Sequence, residues 1–174
     1  TCIDVQSFSG CSRLTSVVIP PRLTEIKYMT FGHCTHLGSV VIPNSVQEIG
    51  VLAFTGCKSL TLLVAPEAMQ TTILAQLPEE TRTALQESGT LMTPEAYDNE
   101  MALHVGGREN YDALPHEAKD RLHRYVHFHE PHVKEDYKLF ERLPYQNFIK
   151  LFPDSKNDPT VQQRRAQNAQ VISK

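Results

Sequence analysis

Histidines are the residues whose spacing first suggests chemistry. Six of the eight lie in one stretch of the second half, and four candidate metal ligands share one helical face there: His116, Asp120, His123 and His127. A histidine pair spaced i, i+4 can chelate zinc, which makes residues 115–132 a candidate for a metal-dependent enzyme. The alternative is a solvated polar face that titrates near the ordinary histidine pKa of about 6.5. We favour this alternative and expect no cofactor, because the helical zinc motif also needs a nearby Glu and a third ligand.

The cysteines could in principle form a metal or redox site. Cys11, Cys34 and Cys57 recur every 23 residues, a spacing that resembles no zinc knuckle. Free cysteine packs as a small hydrophobic side chain, so the spacing favours a buried column of thiols. Cys2 lies outside this column, and we assign it no role.

The same 23-residue period organises three turns between residues 3 and 69. The columns in register are Ile3–Ile26–Ile49, Phe8–Phe31–Phe54, Leu14–Leu37–Leu60, Val17–Val40–Leu63 and Pro20–Pro43–Pro66. A fixed period of this length predicts a solenoid in which each turn buries the face of the next. Because the chain opens in the middle of a repeat, we expect further repeats before Thr1.

This pattern resembles the BspA-type, or treponemal-type, leucine-rich repeat. Residues 42–63 carry the resemblance most closely, in Ile42-Pro43, Ala53-Phe54, Cys57 and Leu60. The resemblance implies a curved solenoid with a parallel sheet on its concave side. It also implies protein recognition, as part of a bacterial surface-adhesion protein or a secreted host-directed effector. It names no ligand, because function lies in the exposed positions of a repeat.

Alternation along each short strand predicts which side chains face outward. Val17, Val40 and Leu63 are expected to point into the solenoid. Their neighbours are expected on the outer face of the sheet: Ser16, Val18, Ser39, Val41, Leu62 and Val64. An exposed apolar stripe is typical of a binding surface, so these residues are the predicted site for another protein. Two alternatives stay open: valine merely suits strands, or the helical region covers the stripe.

The second half of the chain has helical signals in place of the 23-residue period. Each predicted start has a proline at or near the first helical position: Leu77-Pro78, Thr93-Pro94, Leu114-Pro115 and Leu143-Pro144. Gly89 and Gly106-Gly107 are plausible stops. The sequence therefore predicts an α+β protein with repeats in residues 1–69 and a helical region in residues 70–152. A polar tail, helical or disordered, follows in residues 153–174.

Composition narrows the kinds of partner. The formal net charge is −3, and acidic and basic residues are mixed along the chain. This lacks the basic footprint of a nucleic-acid binder, and no apolar run is long enough to cross a bilayer. We expect the partner to be another protein, with a host cell as one candidate source, and we expect no nucleic acid and no membrane insertion. The sequence leaves the compartment unknown, and only the resemblance favours a secreted or cell-surface protein.

Overall fold

The computed structural model describes residues 2–128, 134–159 and 161–163. The chain divides into two compact units, Thr1–Tyr97 and Asp98–Lys174. This boundary differs from the one that the end of the 23-residue period predicts, after residue 69. The first unit extends further because Ile73, Leu77 and Leu85 of the first helical stretch are buried in the same core as the repeats.

Two parallel sheets form the frame of the first unit. One has three strands in the order β1-β3-β5, which are Cys2–Ile3, Glu25–Ile26 and Glu48–Ile49. The other has four strands in the order β2-β4-β6-β7, which are Ser16–Val18, Ser39–Val41, Leu62–Val64 and Leu91–Met92. Paired residues lie one repeat apart, as in Val17 with Val40 and Val40 with Leu63. The predicted parallel solenoid is confirmed.

Repeated side chains stack inside the solenoid. The ring of Phe31 is 5.4 Å from that of Phe8 and 5.5 Å from that of Phe54, centroid to centroid, and both pairs are nearly parallel. Phe31 and Phe54 are buried, whereas Phe8, in the first turn, is 39% exposed. The expected stacking is therefore confirmed, with an aromatic neighbour on each side of the middle ring. The expected core burial is confirmed for Phe31 and Phe54 and wrong for Phe8.

Two helices replace the repeat pattern after the third turn. Helix α1, Glu67–Leu74, packs against β5, and helix α2, Glu79–Ser88, precedes β7. Between them, the Gln76 side chain takes the place of another turn's backbone. Its Oε1 accepts a hydrogen bond from the N–H of Phe54 at 3.2 Å, and its Nε2 donates to the carbonyl of Gly50 at 3.1 Å. The four-stranded sheet thus gains the strand β7. The three-stranded sheet instead ends on helix α1 and the side chain of Gln76.

Helices dominate the second unit. Its α-helices, α3 to α6, are Pro94–Val105, Arg108–Asp112, His116–Phe128 and Tyr145–Leu151, and α3 begins within the first unit. Two 3-10 helices are Lys134–Lys138 and Pro153–Asn157. The four predicted starts are confirmed, as are the stops at Gly89 and Gly106-Gly107, where φ is positive. Most of the predicted tail lies outside the described residues.

A buried carboxylate holds part of the second unit together. Asp136 is 7% exposed and accepts hydrogen bonds from the Arg121 guanidinium, at 2.7 Å, and from the Tyr125 hydroxyl. The Tyr125 ring also lies beside Phe140 and Phe152. A buried charge is tolerated when it is paired and hydrogen-bonded, so this contact is structural.

Candidate functional site

The predicted outer face of the four-stranded sheet is only partly exposed. Ser16, Val18 and Val41 are half-buried. The expectation of exposure is wrong for three other members, which are Ser39 at 1%, Leu62 at 4% and Val64 at 0% exposed.

Strand order accounts for part of this burial. Ser39 lies in register between Ser16 and Leu62, and β7 places Met92 beside Val64. Leu62 and Val64 are buried, but neither belongs to the core cluster that contains their neighbour Leu63. Among the six predicted residues, those that remain partly accessible lie in the first two strands, β2 and β4.

A second surface, which the sequence analysis did not identify, follows the strands of the three-stranded sheet. Val5, Tyr28 and Val51 occupy one column of the repeat and are 50%, 44% and 69% exposed. Leu52, in the adjacent column, is 37% exposed. We call these four residues the turn ridge. Because the three column members recur one per turn, the ridge is a continuous apolar row and not a scatter of single hydrophobic residues.

The backbone fixes the spacing of the turn ridge. Gln6, Met29 and Leu52 have φ angles of 57°, 54° and 60°, so the same left-handed turn recurs in each repeat. The N–H of Gln6 donates to the carbonyl of Tyr28, and that of Met29 to the carbonyl of Val51, both at 3.1 Å. A left-handed conformation costs a residue other than glycine about 1–2 kcal/mol. Gln6, Met29 and Leu52 are therefore more strained at these positions than glycine or asparagine would be.

Two carboxylates lie three residues before the ridge positions in their turns. Glu25 and Glu48 are register partners in β3 and β5, where like charges oppose each other. Within the described residues, neither side-chain carboxylate has a hydrogen bond or an ion pair. The nearby cation, Lys27, pairs with Asp4 at 3.6 Å. The outer surface of these turns is thus apolar along the ridge and acidic beside it.

The histidine-rich face differs from the sequence expectation. His123 is 2% exposed, and its ring centroid lies 5.1 Å from that of His127. Burial, with His127 and Arg124 nearby, lowers the pKa of His123 to about 4. A solvated face titrating near pH 6.5 is therefore wrong for this residue. Asp120 pairs with Arg124 at 3.0 Å, and His116 is exposed. In the part of the chain that the structure describes, no three His, Cys, Asp or Glu residues are arranged to hold a metal ion.

The predicted buried column of cysteines is confirmed for Cys34 and Cys57 and wrong for Cys11, which is exposed in the first turn. Cys34 and Cys57 are fully buried, and their thiols donate to the carbonyls of Phe8 and Phe31 at 3.1 and 3.2 Å. Burial raises the pKa of Cys34 and raises that of Cys57 to about 12. Such thiols stay protonated at neutral pH and are therefore poor nucleophiles. Their hydrogen bonds link one turn to the next.

The helices of the described residues are all too short or too polar to cross a membrane.

The repeats of this chain are similar to those of a known family. Residues 1–76 match the family model described as a BspA type leucine rich repeat region, in 6 copies. A solved leucine-rich repeat protein from Bacteroides ovatus ATCC 8483 is 32% identical over 38% of this chain, with a TM-score of 0.36. The match spans 17% of that protein's chain. A search of the curated proteins found none that matches this chain. Such repeats suggest a protein–protein interaction module, and the leucine-rich repeats of residues 1–76 are of the BspA type.

Proposed function

We propose that this solenoid is a protein-recognition module and that the turn ridge is its binding surface. One observation carries the proposal: an apolar side chain stands exposed at the same position of each turn, in Val5, Tyr28 and Val51. Soluble proteins seldom leave a contiguous apolar row uncovered unless it meets a partner.

The strained turn supports the same proposal. Leu52 combines a positive φ with a side chain that is 37% exposed, so part of its apolar surface remains in solvent while its backbone is strained. Backbone strain of this kind concentrates at functional sites. A leucine there is explained if its side chain is buried when a partner binds.

The same proposal extends to the kind of protein that carries the module and to a second surface. We propose that the module acts in a bacterial surface-adhesion protein or a secreted host-directed effector, as the repeat type implies. The half-buried residues Ser16, Val18 and Val41 are a second candidate surface on the same solenoid. No arrangement among the described residues favours the metal-dependent enzyme.

A comparison of variants tests the proposed surface. Proteins captured from host-cell lysate by the immobilised chain would be identified, purified and titrated against it. The double variant Tyr28→Lys/Val51→Lys should weaken that binding at least tenfold without lowering the melting temperature. Leu103→Lys is the matched control, because Leu103 is 79% exposed but lies in the second unit. Unchanged affinity of the folded double variant would overturn the ridge as the binding surface.

A further inference from the structure

We propose that the turn ridge binds an amphipathic α-helix of the partner, which lies along the stack of turns and carries Lys or Arg on one flank. This inference rests on the proposed function and adds the chemistry of the partner. It follows from the spacing of the ridge and from the charge beside it.

The spacing of the ridge distinguishes a helix from an extended segment. Neighbouring parallel strands lie about 4.8 Å apart, and the hydrogen bonds from Gln6 to Tyr28 and from Met29 to Val51 keep the ridge in this register. A helix advances about 5.4 Å per turn, so over two steps its apolar side chains drift from the ridge by about 1.2 Å. Same-face residues of an extended strand are about 6.8 Å apart and drift by about 4 Å.

Side-chain shape is consistent with this geometry. Residues at i, i+3 or i+4, and i+7 of a helix form one apolar row, with one side chain for each turn. Val5, Tyr28 and Val51 also offer one side chain per turn. The two rows can therefore interdigitate along their length, whereas a strand would meet the ridge at one position and miss it at the next.

The charge beside the ridge selects a basic flank. Glu25 and Glu48 face one another in register, and neither has an ion pair within the described ranges. Their mutual repulsion is relieved when a cation lies between them or beside them. A helix with Lys or Arg next to its apolar row would supply that cation, whereas an acidic flank would add to the repulsion.

Three synthetic peptides of about 18 residues test the inference against the full chain. The first has leucines at i, i+4, i+7 and i+11 and lysines on one flank. The second has glutamates in place of the lysines. The third has the composition of the first in strictly alternating apolar and polar order. Fluorescence anisotropy at low salt should show the first peptide binding at least tenfold more tightly than the other two, with a gain of helical circular dichroism. Equal affinities, or no binding of the first peptide, would overturn the inference.

Variants of the chain assign the binding to this surface. Glu25→Lys/Glu48→Lys should weaken the basic peptide roughly tenfold, because two exposed ion pairs are lost, and should strengthen the acidic one. Leu52→Asn should also weaken binding while retaining the fold, because asparagine tolerates the left-handed turn. Leu103→Lys should bind as the unmodified chain does. A basic peptide that binds the charge-reversed chain equally well would overturn the acidic contact.

The inference and the proposed function can fail separately. A peptide scan of the partner recovered from lysate would locate the segment that competes for the ridge. If the ridge double variant loses that partner but the segment is extended or acidic, the helix is wrong and the recognition function stands. If the partner binds the double variant unchanged, the proposed surface itself is wrong.

Discussion

Replacing Gln76 should open the end of the three-stranded sheet. Its side chain makes two hydrogen bonds to the third turn, one from the N–H of Phe54 and one to the carbonyl of Gly50. In the preceding turn the equivalent N–H, that of Phe31, donates to the backbone carbonyl of Ala53 at 2.9 Å. Gln76→Ala leaves the Phe54 N–H without this partner, while the Gly50 carbonyl still accepts a hydrogen bond from the N–H of Ala53 at 3.2 Å.

The expected loss of unfolding free energy is about 2 kcal/mol. Each hydrogen bond contributes about 0.5–1.5 kcal/mol net, and a buried group left unpaired costs about 1–3 kcal/mol. Gln76 is half-buried, so water can reach the space that the side chain vacates. The loss of unfolding free energy therefore stays near the lower end of these ranges. Gln76→Glu should lose about half as much, because its carboxylate can accept from Phe54 but cannot donate to Gly50.

Hydrogen exchange gives the sharpest measurement of this loss. The Phe54 amide should exchange faster in Gln76→Ala, while the Phe31 amide serves as an internal reference because its acceptor is unchanged. A thermal melt should shift by roughly 8–16 °C if the first unit unfolds cooperatively. Gln86→Ala, on an exposed position of α2, is the matched control. Unaltered Phe54 protection together with an unaltered melt would refute the capping role.

Three further predictions concern the core, the sheet face and pH. Phe31→Ala should cost about 3–5 kcal/mol in chemical denaturation, because its ring is stacked on both sides; no loss would contradict that packing. Val41→Lys should leave the melting temperature nearly unchanged and Val64→Lys should lower it strongly, because only Val64 is fully buried; equal effects would contradict this assignment. His123 has a folded-state pKa near 4, below its unfolded value, so the stability from the neutral ring is complete above about pH 6.5 and lost as pH falls. Between pH 6.5 and 4 the loss is about 3 kcal/mol, and denaturation of His123→Phe should be less sensitive to pH over this range.

The buried columns of the solenoid could be predicted from sequence because identical turns impose identical packing. Phe31 sits between Phe8 and Phe54, so a ring of the same size is required at each step. Cys34 and Cys57 similarly need a small donor that reaches a carbonyl of the preceding turn. Helix starts were predictable for a local reason, since proline is suited to the first helical positions.

The segment between helices α1 and α2 keeps the 23-residue register in its side chains, although its backbone differs from that of the three turns. Gln76 and Leu77 lie one repeat after Ala53 and Phe54, and Leu77 is buried in the repeat core. The register of Gln76 and Leu77 is visible in the sequence when the 23-residue period is continued past Met69. The strand Leu91–Met92 could not be found in that way, because helix α2 intervenes and the spacing is lost.

The predicted exposure of the four-stranded sheet's outer face is too high. Alternation predicts the direction in which a side chain points, but it does not predict what covers that side chain. Alternation predicts that Leu62 and Val64 point away from the solenoid core, yet both are buried. Burial depends on what else in the folded chain lies near these side chains, and a strand's own pattern contains no such information. His123 shows the same limit, since a histidine on an apparently polar helical face is buried.

Comparison of exposed columns separates the turn ridge from ordinary surface. A buried column keeps one residue type because each turn packs on the next. An exposed column has no such constraint and is expected to become polar, as in Arg13, His36 and Ser59, all of which are exposed. The column of Val5, Tyr28 and Val51 is equally free of packing, yet it is apolar in every turn. Stability within the chain does not explain that choice, because these side chains are about half exposed or more and the adjoining turn is strained. A partner that covers the ridge would explain both features at once.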